Sequence, residues 1–426
     1  MKTIIFLNRE SYHHDCYEFG KFPEINNFRK IAIIGNDFKD FLPPKYHLMF
    51  DKIYVINSDP EKIDTAEIDY LDLSHLCKIV KSEITLSGGY RNVYIITADE
   101  TNVILAAYLR KKFSLFGDYF NVVQRYRDKI VMKQRLKHNG VKTADFIKFD
   151  VNRYKDNKIS YYNHICSSLS NQFIIKPALG SASFDTFKIS CLSDFQNLNI
   201  GEVYNLSNHA FIVEEFIDAS IFSCDTLVYK GEIIYSLVSE YSCPPLDSAT
   251  NKKTCMAIPL PYNSKQSNKI TRFAHNILMQ LDLISGFNHM EIFERNDGSL
   301  IFLEVGARPP GGKSPFCYKV MFNVDLFHHD LLAQIGILNN LNKNITYSGN
   351  SCLWGIVPKK YGRINSIKKP EIKSNIDIKW SIKEGDYIDK TTSSITSPAG
   401  IFTATNTSYW DLYQDFKLLT KINFYE

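Results

Sequence analysis

No stretch of the 426 residues comes near the roughly 20 consecutive apolar residues that a membrane span requires. The first apolar run is only Ile4 to Leu7, followed by Asn8 and Arg9, and reads as a short strand, not as the core of a signal peptide. Cysteine occurs nine times, never as a C-x-x-C pair and at irregular distances. Neither a disulfide framework nor a zinc site is indicated. Charge of one sign is also lacking. The 50 basic and 46 acidic residues leave a net +4 with no dense basic run, which argues against nucleic acid as the main partner. The 20 glycines and 15 prolines gather into no flexible linker, and no internal repeat is visible. What remains is a reduced, cytoplasmic chain, and an aromatic share of 13% argues against disorder.

The length suggests about three domains at ~150 residues each. Lys30–Gly35, Lys52–Asn57 and Asn92–Thr97 are short apolar runs bounded by turn residues. With a helical stretch at Thr101–Lys112 they predict an α/β unit, residues 1–119, with a parallel sheet covered on both faces. Asp99 and Glu100 follow the last of these runs, at the sheet end where open α/β folds place ligands, or else as charges favoured at a helix N-terminus. From Phe120 the pattern changes. Asp128 is placed to cap a helix through Leu136 that stops at Gly140, and a strand-rich α+β region extends from Gln172 to Val305. We assign residues 120–340 to this core and residues 341–426 to a small strand-rich portion that completes it.

The strongest chemical signal is a pair of carboxylates. His289–Phe293 and Ser299–Glu304 alternate apolar and polar residues around Asn296-Asp297-Gly298. An Asp-Gly two-residue turn would set Asn296 opposite Ser299 and Glu291 opposite Glu304, with Phe293 facing Phe302. Two carboxylates with Cβ atoms ~5 Å apart repel unless something neutralises them, as a hard divalent cation with oxygen ligands would. Arg308 follows in Arg308-Pro309-Pro310-Gly311-Gly312, where a guanidinium beside such a pair suits phosphate or a developing oxyanion. Phe173–Pro177 puts Lys176 at a strand end, ahead of the small-residue loop Gly180-Ser181-Ala182-Ser183. Phe211–Ile217 carries Glu214 and Glu215. Cys243 and Cys255 read as small apolar residues, His289 as a packed histidine sharing a face with Glu291, and His328-His329 as a helix surface pair.

In this order the elements resemble the ATP-grasp ligase superfamily, over about half the chain. Arg-Pro-Pro-Gly-Gly and Glu304-Val305-Gly306 are most similar to its L-amino-acid ligase branch. The resemblance implies a Rossmann-like N-terminal domain, a two-lobed ATP-grasp core and nucleotide bound between the lobes. Lys129 and Lys176 would contact ATP phosphates, covered by Gly180, Ser181 and Ser183. Glu214, Glu215, Phe216 and Ile217 would form the adenine hinge. Glu291 and Glu304 would hold Mg²⁺, or Mn²⁺ in its place, and Arg308 would stabilise a tetrahedral intermediate. The implied function is an ADP-forming carboxylate-amine ligase that makes an amide bond through an acyl phosphate. Its partners would be ATP, a small carboxylic acid and an amine, and the C-terminal part would close the core or support a homodimer. A kinase would use the same metal site and lysines, whereas a nucleotide-binding sensor without ligase chemistry would have no need of Arg308. Three departures stand out: Gly306 replaces the usual asparagine ligand, Ile221 replaces a ribose-binding glutamate for which Asp218 or Asp225 would have to substitute, and Ala182 and Asp185 stand in the phosphate loop.

Overall fold

Four apolar runs at the start of the chain pair in parallel, in the order β3-β2-β1-β4: β1 (Thr3–Leu7), β2 (Arg29–Gly35), β3 (Lys52–Ile56) and β4 (Val93–Ile96). The computed structural model describes residues 1–7, 22–37, 46–59, 71–181, 183–200, 210–250, 252–338, 345–389 and 397–426. Asn8, Arg9, Ala182 and the 340/341 division lie outside these residues. Every residue of β1 is buried, as a parallel strand covered on both faces must be. One face of the sheet packs on the helices Leu73–Leu86 and Val103–Lys112 through Ile5, Ile33, Leu76, Val80 and Leu109. The other, through Ile4, Phe6, Ala32 and Ile96, meets the helices Ser314–Phe322 and Leu326–Gln334. The buried Arg110 guanidinium locks this junction, donating to the Ile95 carbonyl at 2.9 and 2.7 Å and to Gln334 Oε1 at 3.0 Å.

The same junction corrects the reading of His328-His329 as a surface pair. His328 stacks on Phe22 with ring centroids 4.1 Å apart, and His329 Nδ1 lies 2.6 Å from the Tyr235 hydroxyl. Burial pushes the His329 imidazole down to about 4, so it packs as a neutral ring.

A second, antiparallel sheet has the order β5-β8-β6-β7: β5 (Phe146–Lys148), β6 (Phe173–Pro177), β7 (Phe187–Ile189) and β8 (Phe211–Glu215). The aromatic cluster of Phe149, Tyr154, Tyr161, Phe173, Phe195 and Phe211 joins it to the helices Val151–Asp156 and Lys158–Ser168. The third sheet is the largest and is antiparallel throughout. It contains β9 (Ser220–Tyr229), β10 (Glu232–Tyr241), β11 (Cys255–Pro259), β12 (Gly286–Glu294), β13 (Leu300–Gly306) and β14 (Ser351–Val357). β15 (Gly362–Arg363) and β17 (Tyr387–Ile388) form a separate ribbon, while β16 (Asn375–Trp380) and β18 (Gly400–Asn406) complete the large sheet in the order β13-β12-β9-β10-β11-β14-β18-β16. The C-terminal strands therefore extend the sheet that carries the glutamate pair. The Phe302 N–H donates to the Lys142 carbonyl at 3.2 Å, tying the small lobe to that hairpin.

Candidate active site

Glu291 and Glu304 do lie directly opposite one another, but not for the reason the turn suggested. Arg295, not Asn296, faces Ser299: its N–H donates to the Ser299 carbonyl at 3.0 Å, and the Gly298 N–H closes the turn on the Arg295 carbonyl at 2.8 Å. The loop is three residues long, with Gly298 at φ +79°, a conformation that glycine adopts without strain. Near the turn Ile292 pairs with Phe302 and Phe293 with Ile301; the register then shifts before Glu291 and Glu304. A bulge at Leu303 absorbs the extra residue. Phe293 and Phe302 therefore do not face each other. Phe302 enters the core with Met290, Ile292 and Val305, while Phe293 packs with Ile301 and Ile217.

Around Glu304 the fold collects cations from separate elements. Asp128 caps the helix Lys129–His138, accepting from the Ile130 and Val131 amides at 2.9 and 3.2 Å, which fixes Lys129 and Lys133 in its first turns. Lys129 Nζ is 3.6 Å from Glu304 Oε2, and Lys176 Nζ, from the end of β6, is 3.3 Å from the same oxygen. Lys176 also lies 3.2 Å from Glu214, whose other oxygen is 3.0 Å from Lys133. Burial alone would raise Glu304 and Glu214, yet the lysines hold both carboxyls below the usual range. Burial pulls Lys129 down, whereas the two carboxylates beside Lys176 outweigh its burial and raise it. The two lysines differ because Lys176 touches two carboxylates, whereas Lys129 touches one, has Glu100 farther off, and has Lys176 and Arg127 close by.

Arg308 is paired as well, with an acid from the N-terminal domain. Its Nε donates to Glu100 Oε2 at 2.6 Å and its Nη1 to the Pro309 carbonyl at 2.9 Å. Of the two acids after β4, Asp99 is fully buried and accepts from Asn102 Nδ2 at 3.0 Å, while Glu100 reaches Arg308 and Arg127. Glu100 also borders Gly306. A Cβ added at Gly306 would stand 3.4 Å from Glu100 Oε2, so this carboxylate lines the room that the missing side chain leaves. Gly312 is required sterically. It has φ +62°, and a Cβ on it would overlap the Trp354 ring, whose Nε1 donates to Ser314 Oγ at 2.9 Å. Beside Glu291, His289 Nδ1 lies 2.6 Å from the buried Asp225, which also accepts from the Tyr318 hydroxyl at 2.6 Å. Burial would lower His289, but Asp225 raises it to about 9.

A family model described as an ATP-grasp domain matches residues 169–315, the segment that runs from β6 through the glutamate hairpin and the Arg308 turn. Over 404 residues the chain is 26% identical to the L-arginine-specific L-amino acid ligase of Bacillus subtilis, covering 92% of this chain and 90% of that one. Residues 169–315 thus match an ATP-grasp domain, and most of the chain is similar to an L-amino acid ligase. The L-amino acid ligase of Bacillus licheniformis shares its fold with a TM-score of 0.70 at 16% identity, over 99% of this chain and 97% of that one. So does the biotin carboxylase domain of Hydrogenobacter thermophilus 2-oxoglutarate carboxylase, whose structure contains MgADP, ADP and bicarbonate. That likeness has a TM-score of 0.63 at 14% identity, over 100% and 90% of the two chains.

The remaining expected positions lie on β6, β8 and β9 and the segments next to them. Glu215 and Phe216 are tied by their amides to the Asp145 and Gln172 carbonyls, at 2.9 and 3.0 Å, and Ile217 is buried just beyond β8. Glu214 lies within the ionic cluster, so its side chain is engaged by lysines and only its backbone is left for a hinge. Ile221 is buried on β9 opposite Phe293, and the buried Asp225 is held by His289 and Tyr318, whereas Asp218 is exposed next to Ile217. In the small-residue loop after β6 the Gly180 carbonyl accepts from Lys129 Nζ at 2.6 Å, the Ser181 carbonyl accepts the Phe184 amide at 3.1 Å, and Ser183 and Asp185 have positive φ. Sequence reasoning missed Arg127, Lys133 and the role of Glu100. Only the Arg127-Asp128-Lys129 adjacency hinted at the first.

Among the described residues no three His, Cys, Asp or Glu side chains form a metal-binding group. The hairpin offers two carboxylates. That set fits a hard ion which completes its shell from phosphate oxygens and water, the habit of Mg²⁺. Among the same residues no helix is long and apolar enough to cross a membrane.

Proposed function

We propose that this protein is an ATP-grasp ligase that joins the carboxylate of one L-amino acid to the amine of another, with ATP phosphates held by Lys129 and Lys176 and Mg²⁺, or Mn²⁺ in its place, held by Glu291 and Glu304. One observation carries the reading: Lys129, Lys176 and Arg308, from three separate parts of the chain, each pair with a carboxylate of one cluster of charges. Such a site is neutralised internally until an anionic nucleotide and its cation exchange with the pairs. The arginine specificity of the Bacillus subtilis relative makes L-arginine the first substrate to try. A cytoplasmic setting goes with this reading, since ATP is supplied there.

A carboxylate is a poor electrophile because its charge repels the amine. Its oxygen attacks the γ-phosphorus, the bond to the bridging oxygen breaks, and ADP leaves with that electron pair. The amine nitrogen then attacks the carbonyl carbon, the C–O bond to phosphate breaks, and the amine proton passes to solvent. Lys176, kept protonated by Glu214 and Glu304, meets the phosphate as an ammonium. Glu100 and the Pro309 carbonyl fix the Arg308 guanidinium, so its charge is oriented before the oxyanion develops. When bound, the metal neutralises phosphate charge. The test is an ADP-release screen with pairs of L-amino acids, including arginine, read together with product mass. ADP plus a dipeptide supports the reading; ADP plus a phosphorylated end product, or no ADP with any pair, rejects it.

A further inference from the structure

We infer that Arg127 is a further catalytic residue, which shares with Lys129 one non-bridging oxygen of the phosphoryl group in transfer; this rests on the ligase reading above. The Arg127 side chain is completely buried, and among the described residues its Nε and Nη2 have no hydrogen-bond partner. Its third nitrogen, Nη1, donates to the Gly180 carbonyl at 3.3 Å and lies 3.5 Å from Glu100 Oε1. Buried guanidinium donors without partners are unfavourable, and in native proteins such groups call for an explanation. The Gly180 carbonyl supplies one. The same oxygen accepts from Lys129 Nζ at 2.6 Å, so an arginine and a lysine already converge on one acceptor at the root of the phosphate loop.

A carbonyl carries only a partial negative charge; a phosphate oxygen carries more and has lone pairs for several donors at once. When the loop carbonyl yields its place, that oxygen satisfies Lys129 and gives the guanidinium a charge-assisted partner. The location narrows which phosphate is meant. Glu100 bridges Arg127 and Arg308, at 3.5 and 2.6 Å, so Arg127 stands between the phosphate loop and the residue assigned to the acyl intermediate. The group that travels between those points is the γ-phosphoryl, which leaves ADP and joins the carboxylate. Arg127 would hold one of its oxygens while the bond to the bridging oxygen breaks and the bond to the carboxylate oxygen forms.

The experiment compares Arg127→Gln and Arg127→Lys with wild type by calorimetry, using MgADP and the magnesium complex of the β,γ-imido analogue of ATP, and by steady-state turnover. ADP lacks the contacted group. Arg127→Gln should bind it within about threefold of wild type, bind the imido analogue about tenfold or more weakly, and lose about 10²–10³ in turnover. Arg127→Lys, which keeps the charge without the fork, should fall between the two, and carries the same comparison should Arg127→Gln not fold. Equal loss for both nucleotides would show a mere support of the loop and overturn the inference. Unchanged analogue affinity and turnover would also overturn it, while leaving the ligase reading intact. A selective loss of analogue affinity in a protein that forms no amide would uphold the Arg127–phosphate contact and reject the ligase reading.

Discussion

Replacing Glu214 by glutamine removes one charge and almost no volume from the best-buried part of the cleft. Glu214 is 2% exposed and sits 3.0 Å from Lys133 and 3.2 Å from Lys176. Lys176 keeps Glu304 at 3.3 Å, so the loss falls on Lys133, which is fully buried and forms its ion pair, among the described residues, with Glu214. Breaking a buried pair from one side destabilises by about 3–5 kcal/mol, because the remaining charge is left without compensation. Urea unfolding followed by far-UV circular dichroism should show Glu214→Gln weakened by that amount at pH 7. Lys133→Met combined with Glu214→Leu should recover most of it, since apolar residues of similar volume often replace such pairs at little loss. The pH dependence has a definite sign. The Glu214 carboxyl is held below its ordinary 4.5, so its contribution is complete above that pH and disappears as the pH falls through the lowered folded value. The gap between wild type and Glu214→Gln should therefore close in acid. A gap under about 1 kcal/mol at pH 7, or one that widens in acid, would refute the reasoning.

The same geometry sets three further outcomes. Lys176→Ala should weaken ATP binding about tenfold or more by calorimetry, with melting little changed, because Glu214 keeps Lys133 and Glu304 keeps Lys129 as a partner. Arg308→Lys should lose about 10²–10³ in turnover with ATP affinity nearly unchanged, since lysine keeps the charge but not the forked geometry. Asp225→Asn should remove the alkaline loss of stability linked to His289: raised from 6.5 to about 9, that imidazolium stabilises fully below 6.5 and loses its contribution as pH rises through 9, measurable by unfolding across that window.

How much of this was legible depended on whether the determinants were local. The strand runs, the Asp128 cap and the ends of the helices could be read because turn residues and apolar periodicity act within a few positions. The facing glutamates were legible too, although two displacements cancelled: a three-residue turn moved the register by one and the bulge at Leu303 moved it back. Nothing in an alternating run announces a bulge, so Phe302 was assigned to the wrong face. The partners of the cations were not legible at all. Glu100 and Arg308 are 208 positions apart, and Lys176 and Glu304 are 128 apart; only the tertiary fold brings them together. His328-His329 looked like a surface pair because two adjacent histidines fit a solvated helix face, and nothing local shows that the N-terminal domain docks there.

The acyl phosphate is the centre of this account, and one isotope measurement reaches it directly. A substrate amino acid labelled with ¹⁸O in its carboxylate is converted with unlabelled ATP, and the released inorganic phosphate is weighed by mass spectrometry. The carboxylate oxygen that attacks the γ-phosphorus leaves with it when the amine displaces phosphate, so each phosphate should carry one ¹⁸O and the amide product should retain the other. Unlabelled phosphate released alongside amide would contradict an acyl-phosphate route and the roles assigned to Lys129, Lys176 and Arg308 with it.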